Sequence, residues 1–355
     1  MRTLAHALAT PTVSLLTLLA LATTGCVQDV GTGSKDGRKP NKGTEDKQDE
    51  DGCEQVNTPV TLRTASDLDK LPAGCWDLFA KLRIEGPAIT SLAKLGELVA
   101  VNELEIVDTG LTTLDVGAAF DVYGAVLISG NTKLTSIERL QPLNADELTT
   151  SYTIRNNAAL TSLGRLAYLS GVEGELRIAD NAKLASISFD ELTQAGSIAI
   201  TNNGATSIDL GSLQQVGRLE ISNNAALTTI TGAAASTLQG DLIIRGNRAL
   251  TSIGSWSIST LAGNLTLDDN DALRNLGGLS SLRTVTGSVA VTNHALLDNI
   301  DAVSRLQRIG SALLTGNANL SNCRALEVDH CVQHGGVTFN NNKPNTGNCT
   351  RCWCE

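Results

Sequence analysis

The stretch LEISNNAALTTI, residues 219–230, is followed at 242–253 by LIIRGNRALTSI. Both open with apolar residues at alternate positions, Leu219 and Ile221 in one, Leu242 and Ile244 in the other. A period of two over a few residues describes a short strand with one buried face. An asparagine follows (Asn224, Asn247), then an aliphatic residue three places on (Leu227, Leu250) and another three beyond that (Ile230, Ile253).

The same skeleton extends in both directions. It is found in LISGNTKLTSI (127–137), TIRNNAALTSL (153–163), LRIADNAKLASI (176–187), IAITNNGATSI (198–208) and LTLDDNDALRNL (265–276). VAVTNHALLDNI (289–300), ALLTGNANL (312–320) and VTFNNN (337–342) continue it with falling fidelity. LRIEGPAITSL (82–92) and LEIVDTGLTTL (104–114) fit the frame with Pro87 and Thr109 in the asparagine column. The period is about 23 residues, within the range of leucine-rich repeats and β-solenoids. No single unit can bury its apolar side, so the units must stack. The reading is an all-β, right-handed parallel β-helix or solenoid of about twelve coils, with strands pairing in parallel at about 4.8 Å along a rod roughly 55–60 Å long.

The asparagine column has a physical reason in such a fold. Where the strand turns a corner, inward backbone groups lose their strand partners, and leaving them unpaired is costly. An amide offers both donor and acceptor and can also bond its neighbours in adjacent coils. Asn131, Asn157, Asn181, Asn203, Asn224, Asn247, Asn270 and Asn317 are therefore expected to form an internal ladder. His294 takes the column's place in its own unit, as a neutral imidazole in the asparagine role. Connections such as GRLAYLSGVEGE (164–175) and GGLSSLRTVTGS (277–288) carry Gly and Ser with scattered Leu and Val. They read as irregular or short extended segments, which makes the fold closer to a β-helix than to a horseshoe backed by helices.

The two ends differ from this pattern. Residues 1–25 place Arg2 ahead of an apolar, Leu- and Ala-rich stretch ending in small residues, the layout of an export signal. The closing LATTGC resembles a bacterial lipoprotein signal, with Thr23 where that family prefers Leu; the resemblance implies that Cys26 is lipidated. Residues 26–52 lack aromatics and are dominated by Gly, Lys, Asp and Glu. Such a composition cannot offset its ordering entropy and reads as a solvated tether between membrane and folded part. The solenoid with its N-terminal cap is placed at 53–322, and the final coils with a Cys-rich cap at 323–355.

Residues 60–98, VTLRTASDLDKLPAGCWDLFAKLRIEGPAITSLAKLGEL, resemble the start of receptor L-domains and of bacterial surface lipoproteins with the same repeat, the kind abundant in myxobacteria. The matching features are a strand at 60–64, a short helix opened by Ser66 as N-cap, Cys75, and the first LxIxG unit. The resemblance covers about 53–355 and implies a leucine-rich solenoid used for recognition. Receptor L-domains are short and paired around a Cys-rich segment, whereas this repeat is continuous, so hormone binding does not carry over.

Seven cysteines remain beyond Cys26, and an exported protein is expected to oxidise them. Cys53 and Cys75 bracket the first turn. Cys323 is paired with Cys349, and Cys331 with Cys352 or Cys354, leaving one thiol unassigned. A rival reading takes Cys331, His334, Cys349 and Cys352 as a zinc knuckle. The reading adopted has no metal and no cofactor.

Little in the chain points to catalysis: no nucleophile elbow, no phosphate-cradling glycine loop, and histidines only in the leader, the ladder and the C-terminal cap. The trio Asp268, Asp269 and Asp271 invites calcium or a polysaccharide-lyase carboxylate cluster, but flanking coils add no matching acidic column. A net charge of −10 without a basic cluster argues against nucleic acid. Binding is the better-supported class. Four residues before the ladder, the outward column runs Arg83, Glu105, Leu127, Thr153, Arg177, Ala199, Glu220, Ile243; two before, it runs Glu85, Val107, Ser129, Arg155, Ala179, Thr201, Ser222, Arg245. Neither column holds an aromatic ring, so a protein or glycan partner would be held weakly or multivalently, with Arg155, Arg177 and Arg245 as the contact candidates. The expectation is a non-catalytic, lipid-anchored recognition or adhesion protein at the bacterial outer membrane or cell surface; the alternative is a structural spacer of the envelope.

Overall fold

A computed structural model of the chain describes residues 52–344, apart from 96, 115, 117–119, 138–149 and 165–168, all within the compact unit Pro40–Glu355. The export leader, Cys26, the tether as far as 51, and Cys349, Cys352 and Cys354 lie outside the described residues.

The strands of the repeat form one sheet of fifteen, thirteen of them in single file from Glu54–Val56 to Val337–Asn340. Every pairing is parallel. Like stacks on like: Leu219 sits opposite Leu242 and Ile221 opposite Ile244, which in turn meet Leu265 and Leu267. A slip of one residue would turn every inward aliphatic to solvent, so the repeat itself fixes the register. The chain is an all-parallel β-solenoid of about twelve coils.

After each corner the aliphatic pair turns inward again. Leu227 and Ile230 are buried, as are Leu250 and Ile253 in the next coil. Around them run two three-stranded parallel sheets, one through Ser186–Ser188, Ser207–Asp209 and Thr229–Thr231, the other through Thr237–Leu238, Thr260–Leu261 and Thr284–Val285. One continuous apolar core runs up the stack from Leu62 to Val332. Its aromatics, Trp76, Phe120, Tyr152, Phe189 and Trp256, are inside it.

Three local expectations are corrected. The first helix, Ala65–Leu68, is capped by Thr64 and not by Ser66. The Asp67 carboxylate reaches back to the backbone N–H groups of Arg63 (3.0 Å) and Thr64 (2.9 Å) and receives Lys70 Nζ at 2.8 Å, so its pKa lies well below the carboxylate range, first through Lys70 and then through those amides. A partner three places after Thr64 decides the start, and the strand before it is Val60–Leu62, shorter than 60–64. Second, some connections are helical turns, Ala93–Leu95, Gly277–Leu279 and Asp301–Ser304. Third, a ten-residue helix, Asn322–Cys331, follows the corner at Gly316 and Asn317 and replaces the extended connection of that coil. Ser321 caps it, and Ala325 and Val328, three apart on one face, are buried. Among the described residues no helix is long and apolar enough to cross a membrane.

Candidate functional site

At each corner the residue ahead of the ladder position has positive φ. The column reads Gly86, Asp108, Gly130, Asn156, Asp180, Asn202, Asn223, Gly246, Asp269, Asn293, Gly316 and Asn341, with φ between 51° and 96°. This left-handed turn swings the next side chain from the sheet's outer face into the core. Only Gly, Asn and Asp enter that region readily, and no other residue type occurs in the column. The sequence reading passed over this signal, although it was visible one place before each asparagine.

The side chains so delivered form a continuous ladder. Asn131, Asn157, Asn181, Asn224, Asn247, Asn270 and Asn317 are fully buried, and Asn203 is 4% exposed. Each Nδ2 donates to a strand carbonyl of the preceding coil, as in Asn181 to Ile154 (3.0 Å), Asn224 to Ile200 (3.0 Å), Asn247 to Ile221 (2.9 Å) and Asn317 to Val291 (2.8 Å). Each Oδ1 accepts the backbone N–H of the ladder residue one coil earlier: Asn203 N donates to Asn224 Oδ1 (2.9 Å), Asn224 N to Asn247 Oδ1 (3.0 Å) and Asn247 N to Asn270 Oδ1 (3.1 Å). Thr109 opens the ladder by donating N–H and Oγ1 to Asn131 Oδ1 (2.9 and 2.6 Å), and Asn342 continues it by accepting from Asn317 N (3.0 Å). Ladder groups are thus committed to the backbone and unavailable to a ligand.

His294 fills its rung by the same geometry. Its Nδ1 accepts from Asn270 N (3.2 Å), and Nε2 stands 3.2 Å from the Leu267 carbonyl. The tautomer that satisfies both carries its proton on Nε2, so acceptor and donor stand where Oδ1 and Nδ2 of asparagine would. Burial pushes the pKa of His294 down, against the partly opposing effect of those backbone contacts.

The outward columns of the long sheet are in the register read from the sequence. Thr153 lies opposite Arg177, Arg155 opposite Ala179, and Ser222 opposite Arg245. Arg155 and Arg177 therefore occupy neighbouring strands, Ser151–Arg155 and Gly171–Ala179, while Arg245 stands three strands further on. Their charges are compensated unequally. Arg245 Nη2 meets Glu220 Oε1 at 3.1 Å, and Glu220 also holds Arg218 at 2.8 Å. Arg177 is only loosely paired, 3.8 Å from Glu175. Arg155 is exposed and has no ion pair among the described residues. Between these groups Ala179, Ala199, Thr201 and Ser222 make a low, small-residue floor. Nearer the N-terminus, Arg63, Lys81 and Arg83 pair with Glu85, Glu103 and Glu105 and neutralise one another.

Two of the acidic trio are tied up by protein donors, while Asp271 stands 3.9 Å from Arg248 Nε. Asp268 Oδ1 accepts from Thr292 Oγ1 (2.6 Å) and Asn293 Nδ2 (2.8 Å), and Asp269 takes Arg248 Nη2 at 2.9 Å. Cys53 and Cys75 form a disulfide. Cys323 and Cys331 are both disulfide-bonded, and their pairing with Cys349, Cys352 or Cys354 falls outside the described residues. A disulfide sulfur is not a thiolate ligand, so Cys331 does not fit the zinc-knuckle alternative. His334 instead places Nε2 3.0 Å from the Asp329 carbonyl. Comparison with protein-family models, curated proteins and solved structures finds no match to this chain.

Proposed function

We propose that the protein is an exported lipoprotein, anchored through acylated Cys26 at a bacterial outer membrane or cell surface, whose solenoid binds a protein or glycan partner without catalysis. The observation that carries this reading is the pair Arg155 and Arg177 on adjacent strands of a long parallel sheet, the first without an ion pair among the described residues and the second loosely paired. Planar guanidiniums held on a sheet suit carboxylate, sulfate or phosphate groups of a partner. Coils about 4.8 Å apart suit a partner that is itself extended or repetitive. The resemblance to L-domain lipoproteins points the same way. Arg245 contributes less, because Glu220 already occupies it.

A glycan array and a surface pull-down with the full-length chain test the reading. Saturable retention that falls at least about tenfold in Arg155→Ala/Arg177→Ala, a loss of about 1.4 kcal/mol, is the expected result. If wild type retains nothing saturably, the chain is a spacer of the envelope. The anchor is tested separately. Cys26→Ser should move the protein from the membrane fraction to the soluble fraction, and an unmodified Cys26 in the intact mass would remove the lipoprotein assignment.

A further inference from the structure

We infer that the chain carries a second, smaller binding site, for a short zwitterion such as a peptide with free ends, in a groove beside the helical turns Gly277–Leu279 and Asp301–Ser304. The groove has a volume of about 410 Å³, within the range of small-molecule pockets. Its lining includes Asn275, Ser280, Asp298, Asn299, Asp301 and Arg305.

Part of this lining is fixed. Asn275 and Asn299 face each other as a parallel bridge between adjacent coils. Asn275 Oδ1 accepts from Gly277 N (3.0 Å), and Asn299 Oδ1 accepts from Asp301 N (2.9 Å). Asp301 is consumed locally, by Asn299 Nδ2 at 3.1 Å and Arg324 Nη1 at 3.0 Å. The rest is free. Asp298 and Arg305 line the same groove, are not paired with each other, and have no ion-pair partner among the described residues. They flank the four-residue helix Asp301–Ser304, so their backbone positions are set.

A carboxylate and a guanidinium that line one groove without pairing with each other are matched by a ligand with an ammonium at one end and a carboxylate at the other. The ammonium would sit against Asp298, and the carboxylate would take the two-pronged guanidinium of Arg305. Asn275 Nδ2 and Ser280 Oγ have hydrogen-bonding capacity left for a peptide group between them. The lining exposes little surface, apolar and polar in nearly equal parts, so affinity should be low, with Kd on the order of 1 mM. This site does not rest on the arginine pair of the sheet face.

Calorimetric titration of the full-length chain at low salt tests it, with trialanine and glycine as zwitterions of two lengths and sodium acetate as a carboxylate without an ammonium. Saturable binding of trialanine or glycine is expected, the tighter one identifying the ligand length, with a loss of at least about fivefold in Asp298→Asn and in Arg305→Gln. Both residues are exposed, so thermal melting should not move. Arg155→Ala should leave this binding unchanged, which separates the site from the sheet face. No saturable uptake of either zwitterion, equal binding of acetate, or undiminished binding in both variants would overturn the assignment.

Discussion

Asn224 shows what one residue does in this fold. Its Oδ1 and Nδ2 satisfy Asn203 and Ile200 in the coil before it, while its own N–H is held by Asn247 in the coil after. Asn224→Ala leaves at least two buried backbone groups without partners, each costing about 1–3 kcal/mol. A loss of roughly 2–5 kcal/mol is expected in denaturant unfolding; an unchanged midpoint would contradict the ladder's role. His294 adds a pH term. The folded chain keeps the imidazole neutral because burial lowers its pKa below 6.5. Below about pH 6.5 the unfolded chain binds the extra proton, so stability falls as pH drops from there towards the folded pKa and levels off beneath it. His294→Asn retains acceptor and donor but cannot titrate. Its stability difference from wild type should therefore grow between pH 7 and 5, and parallel pH curves for the two would rule out this source.

At the scale of the element, the corner is the unit of design. The backbone enters the left-handed region at Asn223 with φ of 57°, and Asn224 then points inward. Asn223→Gly should be tolerated, whereas Asn223→Val forces a β-branched side chain into αL and should lower stability by about 1–2 kcal/mol or more. Gly246, in the next coil, is more constrained than its φ of 66° alone implies, because a Cβ there would lie 2.3 Å from Asn223 Oδ1. Gly246→Ala should therefore cost more than Asn223→Ala in the same melting assay. Equal costs would mean that the close approach of coils at this corner is relieved by movement of Asn223.

The whole molecule behaves as a stack in which each coil meets only its neighbours, so stability is close to a sum of local terms and the ends are the weak points. The N-terminal end is held by the Cys53–Cys75 disulfide, with 22 residues of separation, and by the Thr64–Asp67 cap. Replacing both cysteines with serine should remove about 2–4 kcal/mol from that end. Hydrogen exchange should then quicken in Trp76–Glu85 and Leu98–Val107 while leaving Leu219–Ile244 protected. Uniform loss of protection along the stack would show instead a single cooperative unit.

The sequence alone determined the strand, the register and the ladder, because stacked identical coils bring each residue onto its own repeat. Alternation in LEISNNAALTTI names the buried side chains, and the period names their neighbours above and below. It also carried the left-handed column, in the unbroken run of Gly, Asn and Asp from Gly86 to Asn341, unread until the φ angles supplied the reason. Only the tertiary structure decided which charges remain free. Arg155 and Arg245 share one outward column, yet Glu220 takes the second and nothing described takes the first, a difference set by contacts between strands. The same holds for the helix Asn322–Cys331 and for the groove between Asp298 and Arg305, both formed where the repeat loses fidelity. There, side-chain contacts particular to that end replace periodicity as the determinant of shape.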